Sequence, residues 1–408
     1  MGYTKDTLKG ISWIGLLHFV IKGITFIRIA ILARLLSPAE FGTYGVAILA
    51  FVFIEIFTET GINVFLIQEK KDINKYLDTA WIVSIIRGVL IFLIVIITSS
   101  FVSNFFHSPD SYLLLLMISI VPLLRGFINP AVILFQKELT FRKEFWFRSS
   151  IFVVDSLVSL GFVFITRQAS GLIFGLIVGV VFEVLLSFIL AKPVPKFIFK
   201  IQSVKEVLHK GKWLTASGVL NYIFQNGDNV VVGKILGVTP LGLYQMGYRL
   251  ATIPIGESVD IISQVTFPVY SKISNDYNRL RRAFLKTSFM MFLLGLPICI
   301  ALFFFAQNLV IIILGSNWLS VVPVVRVLAV FGLVQIIAVP QTTLYLAVGK
   351  QRYGTIVAFV RTFALCVTII PLVLEFGIIG AAISAVIGSL ISLPFNIYYT
   401  LKIIKNLK

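Results

Sequence analysis

The ionisable residues that sit inside apolar stretches are the ones whose chemistry needs an account, because a charged side chain in hydrocarbon costs several kcal/mol unless it meets a partner or a cavity. Arg28 lies six residues before Arg34, Asp228 six before Lys234, and Arg249 seven after Gly242. At ~1.5 Å of helix rise per residue, these spacings put all three at roughly 10 Å from the same edge of an apolar layer. An arginine fork matches the oxygens of a phosphate or pyrophosphate, so Arg28 and Arg249 are candidate ligands for an anionic head group. Asp228 is a candidate to hold one of them or to bind a coupling cation. A plain Arg28 to Asp228 salt bridge is the structural alternative. Lys22, about two turns deeper than Arg28, is a third cationic candidate.

The acids come in pairs. Glu55 and Glu59 are spaced i,i+4, and Glu257 and Asp260 i,i+3, so each pair is expected to share one helix face. Such pairs suit uptake of H⁺ or Na⁺ for coupling or gating, with Arg87 the structural partner in the competing reading of the first pair. Arg125, Arg148, Asp155, Glu183, Arg326 and Arg361 are too dispersed along the chain to assign.

Other chemistries are excluded. The two cysteines, Cys299 and Cys366, stand in separate apolar runs, and His18, His107 and His209 form no ligand pair, so neither a metal site nor redox chemistry is expected. Gly-Lys at 211–212, 233–234 and 349–350 is followed by Trp213, Ile235 and Gln351, so no P-loop is present. No catalytic residues and no cofactor are expected; H⁺ or Na⁺ is the candidate coupling ion.

The elements that must carry these residues follow from composition. Of 408 residues 58% are hydrophobic and 13% charged, with mean hydropathy +0.99. That rules out a soluble enzyme, a disordered chain and a disulfide-built secreted domain, and the apolar stock matches roughly twelve membrane spans. Apolar windows fall at about 10–34, 40–67, 79–103, 112–136, 147–166, 170–191, 212–236, 242–270, 283–306, 321–347, 353–374 and 378–401. The stretch Leu309 to Leu314 is too short to cross and is expected to lie at the interface. Pro122, Pro130, Pro254, Pro297, Pro340 and Pro371 are expected to interrupt their helices. Gly171, Gly175 and Gly179 form a GxxxGxxxG stripe expected to let helices approach closely.

Alternating loops test the count independently of hydropathy. One set, including both termini, holds 24 of the 35 lysines and arginines. The other set, around Pro38, His107, Arg167, Pro240, Asn317 and Phe376, holds Arg167, with Arg34 and Lys234 at helix ends. The basic side is expected to be cytoplasmic, both termini included. Orientation therefore explains most of the net charge of +17, and no nucleic-acid partner is needed.

An offset of 200 aligns Leu8 with Leu208, Trp13 with Trp213, Leu36 with Leu236, Gly42 with Gly242 and Tyr44 with Tyr244. The fold class is thus an all-α polytopic membrane protein of about twelve helices in two six-helix lobes, 1–195 and 212–408, joined by a basic cytoplasmic linker at 196–211. Paired bundles of this kind serve alternating access.

The segment ARLLSPAEFGTYGVAILAFVFIEIFTETGINVFLIQEK at 33–70 resembles the signature of Wzx-type oligosaccharide flippases. DNVVVGKILGVTPLGLYQMGYRLATIPI at 228–255, ILGSNW at 313–318 and LAVGKQRYG at 346–354 extend the resemblance along most of the chain. It implies a MATE-like fold in the cytoplasmic membrane. It also implies a polyprenyl-pyrophosphate-linked oligosaccharide as substrate, with membrane lipids and polysaccharide assembly proteins as partners. A cation-coupled drug antiporter of the same superfamily is the alternative function. A membrane glycosyltransferase or polymerase is a more distant one, disfavoured because no DxD-type cluster and no large external loop is found.

Overall fold

The computed structural model describes residues 2–59, 61, 62, 66, 74–198, 222, 223, 225–274 and 276–406. Among the described residues the regular structure is entirely helical. The chain divides into two compact units, residues 1–227 and 228–408, with the boundary inside the seventh apolar window. Of the expected 196–211 linker, residues 199–211 lie outside the described residues.

In the first unit the helices are α1 (Gly2–Leu35), α2 (Pro38–Phe57), α3 (Asn74–Phe105), α4 (Pro109–Arg125), α5 (Phe141–Thr166) and α6 (Ser170–Leu190). α2 starts where Ser37 accepts the Glu40 N–H at 3.3 Å and Pro38 takes the first helical position, whose N–H would be unpaired in any case. It stops well short of the expected 67. The Thr58 hydroxyl donates to the Ile54 and Glu55 carbonyls at 2.9 and 3.1 Å, and Gly61 then turns the chain with φ +66°.

The window at 112–136 is likewise not one straight helix. α4 ends at Arg125, and the chain resumes beyond a 75° bend as the short turns Pro130–Ile133 and Leu134–Lys137. Neighbours satisfy the backbone freed by this break, the condition for irregular chain at membrane depth. Trp81 Nε1 donates to the Phe127 carbonyl (3.1 Å), the Asn129 N–H to Ser187 Oγ (3.0 Å), and Asn129 Nδ2 to the Ala191 carbonyl (3.1 Å). Of the prolines expected to interrupt helices, Pro130 alone sits at a chain break. Pro122, Pro254, Pro297, Pro340 and Pro371 are carried within continuous helices.

The second unit continues the helix of residues 225–236 (α7) into α8 (Val238–Lys272), α9 (Tyr277–Phe304) and α10 (Val322–Ala347). The apolar stretch before α10 forms the eight-residue helix Ala306–Ile313. α10 is the central element of the unit, packed against α8, α9 and the helices that follow, with Val324, Val325 and Leu328 fully buried.

Helix Gln351–Asn406 is two spans, not one. Gly377 (φ +60°, ψ −138°) reverses the chain, giving α11 (351–376) and α12 (378–406). The hairpin is antiparallel. A Cβ on Gly380 would meet the Leu372 carbonyl at 1.9 Å, one on Gly388 would meet the Arg361 carbonyl at 2.7 Å, and Tyr353 stacks on Tyr399 at 4.4 Å. The reversal falls in the loop expected around Phe376. With this break, described helices occupy all twelve windows, residues 212–221 lying outside the described part of the seventh.

Candidate functional site

In the first unit the side-chain chemistry falls into two groups. The first joins α1 to α5. Arg28 Nη1 donates to Asp155 Oδ2 at 2.7 Å, and its Nη2 donates to Ser159 Oγ at 2.8 Å and Asp155 Oδ1 at 3.4 Å. The pair is largely buried, with side-chain exposures of 12% and 10%. Asp155 and Ser159 are one turn apart on α5, and the glycine stripe of α6 lies directly behind them. A Cβ on Gly175 would sit 1.9 Å from Ser159 Oγ, and one on Gly179 2.9 Å from Asp155 Cβ. The salt bridge Arg28 makes is thus with Asp155, where the structural alternative had Asp228. Arg28 is held within its own unit because α5 presents a carboxylate and a hydroxyl on adjacent turns facing α1.

The second group surrounds a cavity of about 360 Å³ built by α2, α3, α4, the bent turn, α5 and α6. Four acids line it, Glu55, Glu59, Glu144 and Glu183, with three arginines, Arg87, Arg125 and Arg148. Arg125 Nη1 meets Glu55 Oε1 at 3.1 Å. Arg87 Nη2 donates to the Glu55 carbonyl (2.7 Å) and to Glu59 Oε2 (3.2 Å). Glu144 Oε1 accepts from Arg148 Nε (2.9 Å) and Gln136 Nε2 (2.6 Å). Arg125 and Arg148 are the countercharges acting on Glu183. The Arg87 Nε is buried and makes no hydrogen bond among the described residues.

The expectation that Glu55 and Glu59 share a helix face is also corrected. α2 ends at Phe57 and Glu59 lies beyond the cap, accepting the Gly61 N–H at 3.1 Å. Arg87, reaching across from α3, ties the Glu59 carboxylate to the Glu55 backbone carbonyl, while the Glu55 carboxylate pairs with Arg125. The cavity lies in the half of these helices nearer the basic loops, since Arg87 is early in α3, Glu144 and Arg148 are early in α5, and Arg125 is at the end of α4.

In the second unit Asp228 is buried. Its Oδ1 accepts the Asn229 N–H (2.8 Å) and Nδ2 (2.9 Å), and its Oδ2 accepts the Tyr244 hydroxyl (2.7 Å). These donors are neutral, so among the described residues the carboxylate is hydrogen-bonded rather than ion-paired. Arg249, later on α8, is exposed and has no ion pair among the described residues. Arg361 Nη1 reaches Gln335 Oε1 at 3.4 Å. Lys22 is exposed on α1, and the side chains of Glu257 and Asp260 lie outside the described residues. Among the described residues no group of three or more His, Cys, Asp and Glu side chains could hold a metal ion.

Residues 31–323 match the polysaccharide biosynthesis protein family. The chain belongs to that family. It is 25% identical over 393 residues to the lipopolysaccharide biosynthesis protein WzxC of Escherichia coli (strain K12), covering 96% of this chain and 79% of that protein. It is also 25% identical over 353 residues to the teichuronic acid biosynthesis protein TuaB of Bacillus subtilis (strain 168), covering 85% and 72%. In fold it is similar to the lipid II flippase MurJ in an inward closed conformation, with TM-score 0.77, 18% identity, and coverage of 97% of this chain and 90% of that one. An inward-facing MATE family multidrug resistance transporter of the MOP superfamily follows at TM-score 0.68 and 15% identity, covering 94% of each. The expected MATE-like all-helical membrane fold is thus found.

For this polysaccharide biosynthesis protein, spacing along single helices singled out Arg28, Arg249, Asp228 and the Glu55 region as candidates. It did not assemble Asp155, Arg125 and Glu183, whose partners lie on other helices, and it passed over Glu144 with Arg148, an i,i+4 pair on α5. One signal was available for Asp155: it is followed at i+4 by Ser159 and faces a glycine stripe one helix later, the pattern of a helix pair close enough to shape a polar pocket.

Proposed function

We propose that this chain is a flippase that moves a polyprenyl-pyrophosphate-linked oligosaccharide across the cytoplasmic membrane by alternating access, for assembly of surface polysaccharide. The observation that carries the reading is the family match over residues 31–323. The relatives named for lipopolysaccharide and teichuronic acid biosynthesis, and the likeness to a lipid II flippase, support it. The work done is translocation rather than covalent chemistry. The basic loops and both termini lie in the cytoplasm on the positive-inside rule.

In this reading Arg249 is the pyrophosphate ligand, because it is exposed at hydrocarbon depth without a countercharge among the described residues. Lys22 serves as an accessory cation. Arg28 acts mainly as the clamp between α1 and α5, its fork already filled by Asp155 and Ser159. Coupling to H⁺ or Na⁺ runs through Asp228, Glu55, Glu59, Glu257 and Asp260. Glu55 and Glu59 can serve only if Arg125 and Arg87 release them, and the hydrogen-bonded Asp228 has no such lock.

The test is a proteoliposome assay of leaflet exposure with labelled lipid-linked glycans, with and without H⁺ and Na⁺ gradients. The intact protein is expected to change the leaflet of the lipid without changing its mass. Arg249→Ala is expected to abolish the exchange while retaining the helical content and thermal transition of the parent. Normal exchange in that variant sinks the ligand assignment, and a change of substrate mass sinks the flippase reading.

A further inference from the structure

The end of the second unit away from the basic loops carries a groove of about 390 Å³. Phe303 from the end of α9, Pro323, Arg326 and Val330 from the first turns of α10, and Ile383 and Val386 from the start of α12 line it. Arg326 is the sole charged residue of this lining, is exposed, and makes no ion pair among the described residues. Two acids of the unit are engaged elsewhere: Asp228 is held by Tyr244 and Asn229, and Asp276 pairs with Arg279 at 3.1 Å near the opposite end of α9, while Glu375, at the same end as the groove, is not among its lining residues.

Arg326 is four residues into α10, about 6 Å along its axis. A guanidinium at that depth reaches the head-group layer by extending along its own aliphatic stem. There its planar donors match a phosphate, and the apolar groove beside it matches hydrocarbon. A single cation balances one phosphate. The pyrophosphate of a lipid-linked glycan would leave charge unmatched.

We propose that this groove seats a phospholipid of the adjoining leaflet, with its phosphate on Arg326 and one acyl chain along Phe303, Val330, Ile383 and Val386. The assignment does not depend on what the protein transports.

Delipidated full-length protein in detergent, titrated with phosphatidylglycerol and read by native mass spectrometry, tests it. One phosphatidylglycerol is expected to be retained by the parent. Its apparent affinity should fall about tenfold in Arg326→Gln, the loss of one charge-assisted phosphate contact. Val330→Trp, which fills the groove and leaves Arg326 in place, should give a similar fall, so either variant carries the test if the other misfolds. Dioleoylglycerol, with chains but no phosphate, and inorganic phosphate, without chains, should both bind far more weakly. Unchanged retention in the folded variants, or dioleoylglycerol binding as well as phosphatidylglycerol, would overturn the site. Displacement by undecaprenyl pyrophosphate at equal or lower concentration would overturn the resident-lipid assignment and make the groove a substrate subsite.

Discussion

Arg28 and Asp155 are worth most to one another because both are nearly out of solvent. Removing one partner of a buried pair leaves an uncompensated charge, whereas removing both leaves only altered packing. Arg28→Ala and Asp155→Ala are each expected to lower unfolding stability by about 3 kcal/mol, and the double variant by clearly less than the sum. Thermal unfolding of the four proteins in one detergent measures this, and strict additivity would show that the pair is not coupled. The cavity pairs differ in kind. Arg125 and Arg148 have side-chain exposures of 39% and 53%, so their bridges are partly solvated and individually weaker. Arg125→Gln is nevertheless expected to destabilise more than Glu183→Gln, because Arg125 serves both Glu55 and Glu183 whereas Glu183 makes no hydrogen bond among the described residues.

At the scale of helices, the glycine stripe of α6 sets how closely α5 can be approached. Gly175→Ala would force its methyl against Ser159 Oγ and the Asp155 carbonyl, 1.9 and 2.8 Å from the ideal Cβ. The expected loss is about 2 kcal/mol. Gly161→Ala, on α5 with nothing within 4 Å of its Cβ, is expected to cost nothing measurable. Equal melting temperatures for the two variants would remove the close contact as the explanation. The elements themselves were legible because each span must bury some twenty apolar residues and the basic residues cluster in alternate loops. Even the reversal at Gly377 was marked, with Glu375 beside it as the only charge. Helix ends inside apolar sequence were less visible: residues 61–66 read as a continuation of α2, yet the cap at Thr58 and the positive φ of Gly61 end it. The cavity was illegible for a related reason. A pairing such as Arg87 with Glu59 depends on the rotation of α3 against the end of α2, which no single-helix pattern records.

For the molecule as a whole, the membrane orientation can be read chemically. In a Cys299→Ser, Cys366→Ser background, Asp110→Cys is expected to react with an impermeant maleimide in intact cells. Arg352→Cys should react only after permeabilisation. Both residues are exposed, so labelling reports sidedness rather than burial, and the reverse pattern would invert the topology. The division between Gly227 and Asp228 leaves each unit with its own polar centre: a salt-bridged cavity in the first, a hydrogen-bonded carboxylate in the second. Protonation acts differently on the two. Neutralising Glu55 or Glu59 would remove the countercharge of Arg125 or Arg87, while the donors around Asp228 are neutral. The layering of α1, α5 and α6 also constrains how the protein can change over generations. Positions 28 and 155 lose their charges together at less cost than singly, and a side chain at position 175 would meet the backbone of Asp155 and Ser159 as well as the Ser159 hydroxyl. Related chains should therefore show 28 and 155 exchanging as a pair, with the glycine at 175 kept whatever stands at 159 as long as α5 and α6 keep this spacing.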